Sequence, residues 1–398
     1  MSPSELRQRI QTLLEPAGVT LDGPAPWDLR VHDPQFYARV IAHGSLGLGE
    51  AYMDGWWDSD DLDGLLTRLL AVHVDQRVRG LDDVLLWLKA AVVNLQRGRR
   101  AYAVGERHYD IGNDLFERML GRRLVYSCAY WREAADLDTA QAAKLDLVCR
   151  KLGLAPGQRV LDIGSGWGSM AIYLAENCGV EVLGVTLSTE QHALATQRAA
   201  ERGLSDRVKF ELRDYREVEG PFDRIVSVGM FEHVGLKNIP EFFQKVRSLL
   251  KPDGVALLHS IGRKGGPGST GAWVRKYIFP GGYAPALSET LPAIEQAKLW
   301  VTDIEIWRLH YAETCLAWGG RFAANRDKAA AMLGDRFCRM WEFYLLISEF
   351  SFRYGKHMVF QIQMTRDVDA VPLARDYMGE AEKRLEAGEA GGAKALAG

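Results

Sequence analysis

The chain has 398 residues, 47% hydrophobic and 25% charged, with a formal net charge of -3. That length calls for two or three domains, and the composition is that of a globular protein. The near-neutral charge gives no global field for nucleic acid. No apolar run reaches the roughly 18 residues that span a bilayer, so any membrane contact is expected to be peripheral.

In chain order, short amphipathic helices are predicted over 5–14, 34–43, 62–70 and 81–95. In the last, Leu81, Val84, Leu85, Leu88, Val92 and Leu95 recur at helical spacing. Periodicity lapses from Arg97 to Gly105, as in a linker. From Gln141 the pattern alternates: helix 141–152, strand 160–163, helix 168–177, strand 180–185, helix 189–202, strands 208–212 and 224–228, helix 241–250 and strand 255–260. Such alternation predicts an α/β, doubly wound parallel sheet with helices on both faces. A Gly-rich stretch, Gly262–Gly271, opens a segment without clear period to Glu289. Helices 311–322 and 337–354 and a strand 357–365 follow, then an Ala/Gly/Glu/Lys-rich tail expected to fray.

Five cysteines, Cys128, Cys149, Cys178, Cys315 and Cys338, form no C-x-x-C pair and no Cys/His ligand spacing, so no metal site is expected. The odd count and the lack of a leader pattern fit a reducing cytoplasm.

The run V-L-D-I-G-S-G-W-G, Val160–Gly168, sets a buried strand, an acid and three glycines before a helix. Gly164, Gly166 and Gly168 permit a tight turn and close approach of a ligand to the backbone at the strand's carboxyl end. The spacing is G-x-G-x-G, not the dinucleotide G-x-G-x-x-G. A NAD fold would also want an acid ending the second strand, where this chain has Thr186. Asp162 can order the loop facing the amino-acid end of a cofactor. Thr186 and Leu187 would border ribose and adenine, and Asp214 and Tyr215 the adenine. The pattern points to S-adenosylmethionine and a Rossmann-like class I methyltransferase fold.

Flanking motifs are more specific. Gly44–Trp57, His108–Phe116, Tyr126–Trp131, Gly229–Gly235, Leu257–Gly262 and Lys276–Gly282 resemble the cyclopropane-fatty-acyl-phospholipid synthases of the mycolic acid cyclopropane synthase family. The likeness runs from about Leu21 to Thr365 and includes the amino-terminal helices. It implies methyl addition across a cis double bond of an unsaturated acyl chain in a membrane phospholipid, giving a cyclopropane. It also implies a homodimer, and a cytoplasmic enzyme peripherally associated with the inner face of the membrane. Implied cofactor contacts are Tyr126, Ser127, Gly164, Gly166, Thr186, Leu187, Gln191, Tyr215 and Arg216. An implied bicarbonate site comprises Cys128, Glu232, His259, Ile261 through its backbone, and Tyr311.

An alkene is a poor nucleophile, so the methyl donor must be aligned with the π bond, and the cationic product must lose a proton. No side chain offers itself as a lone base, and the bicarbonate that the resemblance implies would fill that role as a positioned general base. Glu232 would accept from its hydroxyl or orient His259. Aromatic faces at Tyr130, Trp131, Phe231, Tyr277, Phe279 and Tyr311 can tolerate the positive charge. His233 reads more simply as a core or helix-start residue. Ser348 occupies a late-helix position where some relatives carry cysteine, which argues against a covalent cysteine.

The resulting division is a helical lipid- or membrane-docking domain over 1–96, a linker over 97–108, a catalytic domain over 109–385 and a tail over 386–398. Trp273, Tyr277, Ile278 and Phe279, with Arg97, Arg99, Arg100, Arg275 and Lys276, are candidates to meet an anionic lipid surface. The bland reading of Arg263, Lys264 and the other basic clusters is solvated surface, and of the aromatics, domain packing. Three rivals remain open: the same fold giving a methylene- or methyl-branched chain, a non-catalytic lipid-binding relative, and a small-molecule methyltransferase.

Overall fold

The computed structural model describes residues 1–72 and 113–379. The expected helix 81–95, the linker 97–108, the cluster Arg97, Arg99 and Arg100, and the tail 386–398 lie outside the described residues.

In chain order the described elements begin with α1 (Pro3–Leu14), β1 (Arg30–Val31), α2 (Gln35–Met53), β2 (Trp57–Asp58) and α3 (Leu62–Ala71). Next come α4 (Asn113–Leu120), α5 (Leu137–Leu152), β3 (Arg159–Ile163), α6 (Ser169–Cys178), β4 (Glu181–Thr186), α7 (Thr189–Glu201) and β5 (Val208–Leu212). Then follow β6 (Phe222–Val228), α8 (Ile239–Leu249), β7 (Leu250–Arg263), α9 (Ala272–Tyr277) and α10 (Leu287–Gln296). The last are β8 (Trp300–Trp307), α11 (His310–Ala323), α12 (Arg326–Leu333), α13 (Asp335–Arg353) and β9 (His357–Thr365).

Two compact units emerge. One lies within Met1–Val93, Gly268–Gly282 and Ala312–His357, the other within Asn94–Pro267, Tyr283–Tyr311 and Met358–Gly398. The units are thus assembled from interleaved stretches rather than from successive segments.

In the first unit, α1 starts at a capping box: Ser2 Oγ accepts from the Glu5 amide and Glu5 returns a bond to the Ser2 amide. Helix α2 runs ten residues beyond the expected end at His43, bending at Gly44, whose φ is 54° and ψ -128°. Its glycines serve packing: a Cβ on Gly49 would stand 2.5 Å from the Trp273 indole of α9. Trp273 is 3% exposed and meets Phe343 of α13 edge to face, and Ile278 is also buried. Both were lipid-docking candidates, and the structure makes them core residues. Lys276 pairs with Glu50, which also accepts from Tyr277.

The second unit is a seven-stranded sheet in the order β5-β4-β3-β6-β7-β9-β8. Strands β3 to β7 pair in parallel, and β8 pairs antiparallel with β9. The sheet is therefore mixed, with a parallel majority. Apolar clusters pack it on both faces, one through α5, α6 and α7, the other through α8 and α10. Helix α5 is capped by Asp136, which accepts from Thr139, and ends at Gly153 with a φ of 56°.

Candidate active site

The sheet's carboxyl edge begins the site. Strand β3 ends in a turn where Gly164, Gly166 and Gly168 have φ of 85°, 53° and 80°. Those values favour glycine. At two of the three there is also no room: a Cβ on Gly164 would lie 2.5 Å from Met230, and one on Gly168 2.6 Å from Phe210. Gly166 has nothing within 4 Å of its Cβ direction and borders a cavity. The amides of Gly164 and Ser165 both donate to Val185 O of β4, which locks the turn to its neighbour.

That cavity gathers most of the expected cofactor residues: Tyr126, Ser127, Asp162, Gly164, Gly166, Thr186, Leu187, Gln191, Asp214, Tyr215 and Arg216. Gly168 is not among its lining residues; it closes the turn against Phe210 instead. At the end of β4, Thr186 Oγ1 donates to Gln191 Oε1 at 3.1 Å and accepts from the Ser188 amide. Asp214 holds Arg216 through two guanidinium nitrogens, and burial pushes the Tyr215 phenol up. Asp162 is buried with Oδ2 unpartnered, and desolvation raises its carboxyl to about 7. A glycine opening onto the cavity and an unsatisfied carboxylate in its wall suit a ligand that carries an amino-acid head and hydroxyl groups.

The second expected set does not line this cavity. Glu232 is buried on the short 3-10 turn Phe231–His233. Its Oε1 accepts from the Ile261 amide at 2.6 Å, while Oε2 has no partner, and burial raises its carboxyl to about 7. The Ile261 N–H, expected to face bicarbonate, is thus spent on Glu232. His259 is oriented by Gln361, not by Glu232: its Nδ1 lies 3.1 Å from Gln361 Nε2. Burial and the charges of Lys144 and Lys151 hold the His259 imidazole well below its usual range. Cys128 is buried with its thiol directed to Ala129 O, and Tyr311 starts α11 in a half-buried position. Among the aromatics, Tyr130 stacks on His310 at 4.9 Å and lies beside Trp307. Phe231 belongs to the core with Phe242 and Phe243.

Several residues escaped sequence reasoning. His233, read as a core residue, lines the cavity, and desolvation brings its imidazole down to about 4. Lys144 and Lys151 are each 1% exposed. They are two helical turns apart on α5, so they share its sheet-facing side. Two lysines at that spacing among apolar positions was the signal available. Met230 and Gln361 carried none.

The family model described as mycolic acid cyclopropane synthetase matches residues 96–362. The chain belongs to this family. It is accordingly an enzyme, an S-adenosylmethionine-dependent methyltransferase. Cyclopropane-fatty-acyl-phospholipid synthase of Escherichia coli strain K12 is 44% identical over 358 residues, covering 90% of this chain and 92% of that protein. Tuberculostearic acid methyltransferase UfaA1 of Mycobacterium tuberculosis is 38% identical over 371 residues, covering 87% and 84%. The solved structure of mycolic acid cyclopropane synthase CmaA1 with SAH and CTAB aligns with a TM-score of 0.62 and 32% identity, covering 66% of this chain and 97% of that one. The mixed sheet is thus the Rossmann-like class I methyltransferase fold. Among the described residues, no helix of this family member is long and apolar enough to cross a membrane.

Proposed function

We propose that the enzyme methylates the cis double bond of an unsaturated acyl chain in a membrane phospholipid and closes a cyclopropane ring, with bicarbonate as the base. The observation that carries this reading is the buried Glu232 carboxyl with one oxygen unpartnered, close to the ligand-binding edge of a methyltransferase sheet. S-adenosylmethionine, when bound, supplies an electrophilic methyl group. Tyr126, Ser127, Asp162, Gly164, Gly166, Thr186, Leu187, Gln191, Asp214, Tyr215 and Arg216 would hold it, with Gly168 shaping the turn.

Bicarbonate would be held by Cys128, Glu232, His259 and Tyr311, with the Ile261 amide anchoring Glu232 rather than the anion. Above about pH 7, where the Glu232 carboxyl is ionised, its free Oε2 would accept from the bicarbonate hydroxyl while Oε1 is anchored by Ile261. Burial of Cys128, Glu232 and His259 excludes water, which protects a cationic intermediate from capture. Lipid delivery belongs to this proposal as well: residues 1–96 dock peripherally on the cytoplasmic face of the membrane, and the enzyme works as a homodimer. The likeness to the Escherichia coli enzyme over nine-tenths of the chain supports the phospholipid substrate.

The comparable likeness to a tuberculostearic acid methyltransferase favours one second reading, a methyl- or methylene-branched product. Expression in a host without cyclopropane lipids, followed by NMR of its fatty methyl esters, separates the two. High-field ring protons are expected. Vinylidene or branched-methyl signals in their place would overturn ring closure. No incorporation of labelled methyl into lipid would overturn catalysis on lipid altogether.

A further inference from the structure

Three polar side chains run across the sheet and a fourth, from a helix, covers them. His259, Gln361 and Glu305 lie on β7, β9 and β8, which are successive neighbours, with Gln361 and Glu305 in direct register. Lys151, at the end of α5, covers them: its Nζ donates to Glu305 Oε2 and, at 2.7 Å, to Gln361 Oε1. Asp303 Oδ2 stands 3.8 Å from the same nitrogen. His259, Gln361 and Lys151 are all nearly inaccessible.

We infer that Gln361, oriented by Lys151, is a positioning residue that holds His259 as the neutral tautomer with its hydrogen on Nε2. An ammonium has only hydrogens to offer, so the Gln361 atom facing Lys151 is the carbonyl oxygen. The other end of the amide is then NH2, a pure donor, and it faces His259 Nδ1 at 3.1 Å. Nδ1 must accept, so it carries no hydrogen. A neutral ring with a bare Nδ1 carries its hydrogen on Nε2. The imidazolium is excluded on the same ground, because it would set two donors against each other. Burial lowers the proton affinity of Lys151, and its ion pairs with Glu305 and Asp303 oppose that and favour the ammonium that donates to Gln361. Burial and the positive charges of Lys144 and Lys151 act in the same direction on the ring.

Trp307 meets the ring edge to face at 5.1 Å. His259 is therefore a hydrogen-bond donor at Nε2 and not a proton acceptor. Resting on the proposed bicarbonate reading, this makes His259 a donor to the anion and leaves proton removal to the anion itself. Such partners of a site histidine commonly fix its tautomer, and their loss costs about tenfold or more.

The test is ring-nitrogen NMR on the full chain labelled with 15N-histidine, His259 being assigned by its absence in His259→Asn. The wild type is expected to show a bare Nδ1 and a protonated Nε2 unchanged between about pH 6 and pH 8. Gln361→Glu places an acceptor against Nδ1, and the hydrogen is expected to appear there. Activity should fall about tenfold while S-adenosylhomocysteine affinity stays within about twofold. Lys151→Met frees the amide to turn and is expected to mix the tautomers. A wild-type ring protonated on Nδ1, or on both nitrogens, overturns the inference even if neither variant folds. A Gln361→Glu spectrum identical to wild type does so as well. Should the tautomer be as expected while turnover is indifferent to bicarbonate, the relay stands and the bicarbonate reading falls.

Discussion

Lys144 Nζ donates to Ser127 Oγ at 2.9 Å in the wall of the cofactor cavity, and both side chains are buried. An ammonium there is expensive to desolvate, and its proton affinity falls to about 7 despite the opposing pull of Cys128 and Asp162. Asp162 lies in the same wall and is raised to about 7 by its own burial. The enzyme thus holds a base and an acid near their neutral points where the amino-acid head of the cofactor is expected. Strong opposed shifts of this kind concentrate at functional sites.

Replacing Lys144 by Met separates binding from stability. With a folded value near 7 against the ordinary 10.5, the unfolded chain binds more protons between those limits, so wild-type stability rises with pH across them. Lys144→Met removes that burden. It should stabilise the fold by on the order of 2 kcal/mol at and below pH 7, with the gain fading toward about pH 10. Affinity for S-adenosylhomocysteine should drop about tenfold, the worth of one charge-assisted bond. Thermal denaturation at two pH values and calorimetric titration measure both; unchanged affinity would remove Lys144 from the binding site.

Glu232 shifts in the opposite sense. Its folded carboxyl is raised from 4.5 to about 7, so the folded state holds the extra proton between those limits and stability falls as pH rises through them. Glu232→Gln, free of this loss, should be more stable than wild type by about 2 kcal/mol more at pH 8 than at pH 5. Turnover should fall on the order of 100-fold, with cofactor binding retained. A stability difference that does not vary with pH would show that the carboxyl is not buried as described.

The alternation of strands and helices made the parallel part of the sheet legible, and the glycine turn made the cofactor edge so. Strand β8 was not legible because its pattern is inverted. Asp303 is buried beside Lys151, whereas Ile304 and Ile306 stand exposed on the other face. An ion pair folded inward defeats any reading by hydrophobic period. Helix α2 continues past the expected end at His43 through Gly44, Gly47 and Gly49, although glycine is a weak helix former. At Gly49 the absent side chain is what Trp273 packs against. Glu232 and His259 were found by resemblance, while Lys151 and Gln361 act through contacts spanning more than 100 residues of chain, beyond any local pattern.

The three turn glycines should respond unequally to alanine. Gly166→Ala carries only the left-handed backbone penalty, about 1–2 kcal/mol, and its methyl points toward the cavity. Gly164→Ala adds a clash with Met230 and should cost about 3 kcal/mol or more. Denaturant midpoints should therefore fall further for Gly164→Ala. S-adenosylhomocysteine affinity should fall for both; a Gly166→Ala enzyme that binds it normally would move the cofactor away from this turn.

Trp273 tests whether the aromatics of α9 serve packing or lipid. Its indole is buried against Gly49 and Phe343, with Nε1 unpartnered. Trp273→Ala leaves a large void and should cost about 3–5 kcal/mol. Trp273→Phe keeps much of the volume and discards a buried donor that has no acceptor, so about 1 kcal/mol is expected. Because the side chain does not reach the surface, cosedimentation with anionic phospholipid vesicles should be unchanged for Trp273→Phe. A loss of vesicle binding at wild-type stability would return Trp273 to the membrane contact and require α9 to open when the enzyme meets lipid.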